Sequence, residues 1–242
     1  MMYDDGVYKM WYSAIDGNNG GSLGLRPRQV RIERVCLATS PDGINWTRKN
    51  DGKPVLDIGT ESEAIDSIQV DSVSIVKLDG IYKMWYGGYS GYPLRHTVGS
   101  VESPDGINWT RTNDGKRVAG FAGDNDQQLG LSVCSDGQKY YMIYSRALLP
   151  GSGIALWVIS AATSEDGFNW KSVNDNQPLL SFPAPEGSFD ASDGRKSNNH
   201  SCHPTKLIIK DGRARVWYMG ESNTDNGTPP TVQHLGLMEA EL

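Results

Sequence analysis

Three things are missing from this sequence, and each absence removes a class of function. No stretch reaches the roughly eighteen apolar residues of a membrane-spanning helix, and no basic-then-apolar leader follows Met1. The expectation is therefore a cytoplasmic chain, or an extracellular one if it belongs to a longer precursor. Cysteine is scarce: Cys36, Cys134 and Cys202 are odd in number and lack framework spacing, so a disulfide scaffold is not expected. Cys36 and Cys134 read as buried strand residues and Cys202 as a neighbour of a site. Positive charge is also lacking. A net charge of -6 argues against nucleic acid, whose phosphates need clustered Lys and Arg, and no membrane surface is expected as a partner. A small neutral molecule or an oligosaccharide fits better. With 38% hydrophobic residues in 242, the chain can still bury a core without metals or disulfides.

What the sequence does contain is repetition. Ser40-Pro-Asp-Gly-Ile-Asn-Trp46 returns as Ser103-Pro-Asp-Gly-Ile-Asn-Trp109 and as Ser164-Glu-Asp-Gly-Phe-Asn-Trp170. One supersecondary unit has been copied along the chain. The Asp carboxylate suits the turn's backbone N–H groups, Gly supplies positive φ, and Trp fills the gap between units. A second phrase keeps step: Asp-Gly before an aromatic strand at Asp5, Asp79, Asp136 and Asp211. These are hairpin signals. Second strands follow them, as in Tyr8–Tyr12 and Tyr82–Tyr86. First strands precede them at Val70–Val76, Leu129–Cys134 and Thr205–Ile209. Third strands fall at Val35–Thr39, Val98–Glu102, Trp157–Thr163 and Leu235–Met238, and the Ser-x-Asp-Gly turn leads to a short fourth.

With no sustained helical period, the expected fold is an all-β propeller of four-stranded antiparallel blades in one domain. Its repeat units lie near 1–56, 57–117, 118–180 and 181–242, with incomplete first and last blades. Those unfinished units make a homo-oligomer a reasonable expectation. The tight turns share one face, so the long segments collect on the other, where binding is expected.

First strands line a propeller's channel. Counting eight residues back from Asp79, Asp136 and Asp211 gives Asp71, Gln128 and His203, a polar ring where plain core strands would be apolar. On the same face are Asp66, the pair Asp124 and Asp126, Arg95 with His96, and Glu221. Arg146 stands where other second strands carry Ala14, Gly88 and Gly220, and so suggests an anion or hydroxyl contact. Tyr89, Tyr92 and Trp157 offer aromatic faces for a sugar ring. His200, Cys202 and His203 alternate along one strand and point to opposite sides, so no transition-metal site is expected.

The pattern Asp66-Ser…Asp71-Ser-Val…Asp79-Gly-x-Tyr-Lys-Met-Trp-Tyr-Gly-Gly…Ser103-Pro-Asp-Gly-Ile-Asn-Trp109 resembles the five-bladed β-propeller glycosidases: arabinanases, β-xylosidases, levanases, invertases and mannoside phosphorylases. The turn phrase also resembles the Asp-box of sialidases, with one residue fewer between Asp and Gly. The resemblance implies a glycoside-active enzyme, a hydrolase or a phosphorylase, with Asp71 in a carboxylate position. Asp66 or Asp126 would be the second acid/base group. Gln128, His203, His96, Arg95, Arg146, Tyr89 and Glu221 would bind substrate. Inverting hydrolysis needs two carboxyl groups, and Gln128 cannot supply one. Phosphorolysis needs one carboxyl group plus Arg, Lys and His for phosphate. No cofactor is required, although a channel Ca²⁺ beside His203 is implied by the arabinanase relatives. Two further readings are a non-catalytic sugar-binding propeller, and a non-glycosidic enzyme using Asp71, His203 and Arg146 as acid, base and anion clamp.

Overall fold

A computed structural model of the chain describes residues 1–15, 32–61, 64–91, 96–120, 128–148, 156–180, 202–222 and 232–241. Most of the long segments expected on the binding face lie outside these residues. The described chain is β-structure with three short 3₁₀ turns, grouped into two compact units, Met1–Val118 and Ala119–Leu242. Each unit holds two of the four repeats.

In the first unit, β1 (Met2–Asp4), β2 (Val7–Ile15), β3 (Glu33–Ser40) and β4 (Thr47–Arg48) form one antiparallel meander. β5 (Gln69–Leu78), β6 (Ile81–Tyr89), β7 (Thr97–Ser103) and β8 (Thr110–Arg111) form the next. A single parallel bridge, Glu33 to Gln69, joins them. In the second unit, β9 (Gln128–Ser135), β10 (Tyr140–Leu148), β11 (Leu156–Ser164) and β12 (Lys171–Ser172) make a third meander. β13 (Cys202–Lys210), β14 (Arg213–Ser222) and β15 (Val232–Glu241) make a three-stranded sheet. As expected, the last repeat stops at its third strand among the described residues. The first repeat has all four strands, with β1 cut to three residues.

The repeated heptapeptide builds its turn from its own atoms. Ser40 Oγ donates to Asp42 Oδ1 and accepts from Gly43 N–H, each at 2.8 Å. Asp42 Oδ1 accepts the N–H groups of Ile44 and Asn45, and Asn45 Nδ2 donates to Asp42 Oδ2, all at 2.8 Å. Trp46 Nε1 closes onto Gly43 O at 3.1 Å, and Gly43 has φ +76°. The same bonds recur around Asp105 and Asp166. Hydrogen bonds from Asn45 and its neighbours hold the Asp42 carboxyl well below the usual range. The structural role expected of the phrase is what the geometry performs. Trp109 also spans the first two repeats, with ring centroids 6.3 Å from Trp11 and 6.5 Å from Tyr82.

That packing belongs to the first unit's core of Trp11, Val35, Leu37, Val70, Tyr82, Met84, Tyr86 and Val101. The second unit buries Ile143, Leu207 and Val216. Cys36 is buried, whereas Cys134 is only half-buried.

Hairpin geometry corrects one sequence inference. Asp5-Gly6, Asp79-Gly80 and Asp211-Gly212 are two-residue turns with both φ angles positive. The third hairpin instead pairs Ser135 with Tyr140, leaving a four-residue loop, Asp136–Lys139. Asp136 therefore does not stand where Asp79 stands, and counting back from it slips by one residue. The ladder shows the consequence: Asp71 pairs with Gly87, Leu129 with Ser145 and His203 with Met219. Gln128 pairs with Arg146, the frame of Val70 with Gly88. Because strand side chains alternate, a slip of one residue moves Gln128 to the opposite face from the Asp71 and His203 frame.

Candidate functional site

In the first unit the central group is Asp71. It lies at the mouth end of β5, where pairing shifts between Asp71 and Ser74 and Ser72 takes φ +50°, a β-bulge. The carboxylate lies against Gly87: a Cβ there would come 2.6 Å from Asp71 Oδ1. Glycine at 87 is thus the space the carboxylate occupies. Asp71 Oδ1 is buried and has no hydrogen-bond partner among the described residues. Burial pushes the carboxyl pKa up, partly offset by the Ser72 hydroxyl. A carboxyl kept protonated above its ordinary range, beside a bulge that re-aims it, is a proton donor in form.

Cross-strand register puts Tyr89 on Asp71's side of the sheet, two ladder pairs along, and His96 packs against it. Their rings stack at 4.5 Å with 19° between planes. Burial lowers the His96 pKa, and its Nδ1 has no partner among the described residues. Burial thus disfavours the cationic form of His96. Arg95 and Tyr92 lie outside the described residues.

Asp66 belongs to a different arrangement. The residue is 0% exposed, and its Oδ2 accepts from Tyr86 Oη at 2.9 Å and from Arg111 Nε and Nη2 at 3.1 and 2.8 Å. Arg111 Nη2 also donates to Asp57 O at 2.6 Å, pinning the linker between repeats. Gly59 and Gly88 leave room for Asp66, since a Cβ would sit 2.4 Å from its Oδ1 at Gly59 and 3.2 Å from its Cβ at Gly88. A cleft of about 530 Å³ opens beside it, lined by residues including Glu61, Arg111, Asp114 and Lys116. Asp71 is not part of that lining.

In the second unit, His203 stands in Asp71's frame on its own repeat. Its Nδ1 lies 2.8 Å from Ser145 Oγ, and Trp157 packs at 5.7 Å and 47° from the imidazole. Gly130, at φ +49° in the β9 bulge, lies beside both groups: a Cβ there would be in ordinary contact with Ser145 Oγ at 3.4 Å and His203 Nδ1 at 3.9 Å. Gln128 and Arg146 are buried at 3% and 5% exposure on the other face of β9 and β10. Arg146 Nη2 donates to Asn176 O at 2.8 Å, closing the 3₁₀ turn Asn174–Asn176. The guanidinium that replaces a small residue here braces its own blade. Asp124 and Asp126 lie outside the described residues, and of Glu221 only the backbone, in β14, is described.

Among the described residues no group of three or more His, Cys, Asp or Glu could hold a metal ion. Ca²⁺ takes about six to eight oxygen ligands, including carboxylates. The described neighbours of His203 include Ser145, Trp157 and Gly130, none of them a carboxylate.

Sequence reasoning missed Ser145 and Arg111. Ser145 stands where Gly87 and Met219 stand in two of the aligned second strands, but the first repeat carries Ser13 there, so position alone did not mark it. Arg111 carried no signal, because its partner comes from an irregular linker.

No family model matches the chain. A 1,2-beta-oligomannan phosphorylase of Thermoanaerobacter sp. (strain X514) is 30% identical over 180 residues, 74% of this chain and 51% of that protein. The chain thus spans about half the length of this relative. A glycosyl hydrolase from Bacteroides ovatus superposes over 97% of this chain and 64% of its own, with TM-score 0.66 and 20% identity. So does a structure described as a glycoside hydrolase of a mannoside phosphorylase family, targeting beta-1,2 mannosidic linkages in Candida mannan. It covers the same shares, with TM-score 0.66 and 21% identity. The fold is that of these propeller-type glycoside hydrolases and phosphorylases.

Proposed function

We infer that this chain belongs to a glycoside-active enzyme whose substrates are β-1,2-linked mannosides, with Asp71 as the proton donor. The observation that carries the reading is the Asp71 carboxyl, buried against Gly87 at a strand bulge and raised in pKa. Such a group protonates the glycosidic oxygen as the anomeric C–O bond breaks, and the leaving sugar departs with that proton. The Tyr89 ring, held by its stack on His96, supplies an apolar face for a pyranose. The named activities of the phosphorylase and hydrolase relatives supply the substrate class.

Of the two carboxylates considered as a second acid/base group, Asp126 lies outside the described residues, and Asp66 favours phosphorolysis over hydrolysis. A base that activates water needs an accessible carboxylate, and Asp66 is fully buried in an ion pair with Arg111. Phosphate needs no such base. One of its oxygens bonds to the anomeric carbon as the glycosidic bond breaks, giving a mannosyl phosphate and a shortened oligosaccharide.

The test is incubation of the protein with β-1,2-mannobiose, with and without inorganic phosphate, scoring mannose 1-phosphate and mannose. Phosphate-dependent mannose 1-phosphate is expected, and Asp71→Asn is expected to cut turnover by roughly 10²–10⁴-fold, the usual contribution of a general acid. Because a raised carboxyl pKa means the charged form opposes folding above pH 3.8, its ordinary value, the same substitution should leave the melting temperature at pH 7 unchanged or higher. Binding of the disaccharide with no product from the wild-type protein would instead select the non-catalytic reading.

A further inference from the structure

The geometry points to Ser145 as a positioning residue that locks the His203 ring for ligand contact, an assignment that rests on the glycoside-active reading above. Ser145 is 0% exposed, in the middle of β10, so its hydroxyl can meet neither substrate nor solvent. A hydroxyl buried in a sheet is expensive unless it is used. Here it lies 2.8 Å from His203 Nδ1, across from one repeat to the next within the second unit.

Three features arrange that contact. The β9 bulge puts Gly130, at φ +49°, beside both partners, where a Cβ would lie in ordinary contact with the Ser145 Oγ and the imidazole. A second bulge in β13, between Pro204 and Lys206, sets the strand that carries His203. Trp157 then limits ring rotation from the side, 5.7 Å from the imidazole centroid. One ring nitrogen is engaged by a fixed hydroxyl, so the ring has one orientation, and the hydroxyl's partner role decides which nitrogen carries the proton. His203 also holds the frame that Asp71 holds in its own repeat, which places it where the fold presents side chains to a ligand. The corresponding second-strand position beside Asp71 is Gly87, which only gives way to the carboxylate. Beside His203 the repeat carries a hydroxyl instead.

The experiment reads the ring directly, then its use. Long-range ¹H–¹⁵N spectra of the wild-type protein should show His203 as a single neutral tautomer at pH 8. Ser145→Ala should give averaged nitrogen shifts, while Ser145→Thr, which keeps the hydroxyl, should restore the single tautomer. Titration with β-1,2-mannobiose should show about tenfold weaker binding to Ser145→Ala, the loss of one hydrogen bond of ordinary strength, with kcat less affected than KM. An averaged His203 signal in the wild-type protein would overturn the assignment without any variant. So would unchanged tautomer and affinity in Ser145→Ala. If the wild-type protein binds no β-1,2-mannobiose while Ser145→Ala still releases the ring, the glycoside reading fails and the ligand-positioning role falls with it, leaving a structural ring lock.

Discussion

The two units solve the same problem, joining one repeat to the next, with different chemistry. In the first, the joint is charged: Lys9 and Lys77 both reach Asp4 at 2.7 Å, and Tyr82 donates its hydroxyl to the same carboxylate. Asp66 and Arg111 add an ion pair that ties the linker down. In the second, the joints among the described residues are neutral: Ser145 with His203, and Ser132 Oγ accepting the Leu207 N–H at 3.0 Å. The ion pairs described there, Arg213 with Glu241 and Arg215 with Glu239, lie exposed within one sheet. The joints between repeats therefore differ in chemistry from one unit to the other, and the joint of the first unit should respond to acid through Asp4.

Breaking the first unit's buried charge tests this most severely. Asp66→Ala leaves the half-buried Arg111 without its carboxylate and Tyr86 without its acceptor, and should cost about 3 kcal/mol, the low end for a broken buried pair. Urea denaturation would check it; a loss below about 1 kcal/mol would make the pair a surface-like contact. Gly87→Ser would copy the Ser145 arrangement into the first unit. The added Cβ meets Asp71 Oδ1 at 2.6 Å, so the carboxylate must move, costing about 1–3 kcal/mol by overpacking and most of the activity. Activity retained in this variant would mean that Asp71 does not act from the position it holds here.

The smallest effect, and the one that sharpens the contrast, is on pH. Burial would raise the Asp4 carboxyl, but hydrogen bonds from Lys77, Lys9 and Tyr82 outweigh it and hold the pKa well below 3.8. A depressed folded pKa stabilises above the unfolded value and is lost as pH falls through the folded one. Asp4→Asn should thus lower the melting temperature at pH 7, with the gap from wild type narrowing only below about pH 4. A gap independent of pH would assign Asp4 a packing role instead.

Much of this was legible in the sequence. The heptapeptide turns and Asp-Gly hairpins placed nearly every strand within a few residues, because local hydrogen bonds fix them. Asp71 emerged from the same count. Gln128 was misplaced because Asp136 opens a four-residue loop, which the dipeptide alone does not reveal. Asp66 looked catalytic because an acidic residue on a linker carries no mark of its partner. Arg111, forty-five residues on, is brought to it only by the fold. The Asn-Asp-Gly sequences at 50–52 and 113–115 were a further repeated signal. Each forms a 3₁₀ turn, and the side-chain amides of Asn50 and Asn113 bond Pro54 O and Arg117 O four residues on.

The heptapeptide turn has a bearing on how such a chain arises. Its serine, aspartate, asparagine and tryptophan bond one another and the backbone between them, within a span of seven residues. A segment that closes most of its hydrogen bonds internally asks little of the surroundings into which it is copied, beyond contacts such as the Trp11 Nε1 bond to Gly106 O. Tandem duplication can insert it already folded, and later divergence is left free to act on strand positions such as 71, 145 and 203, where the copies differ.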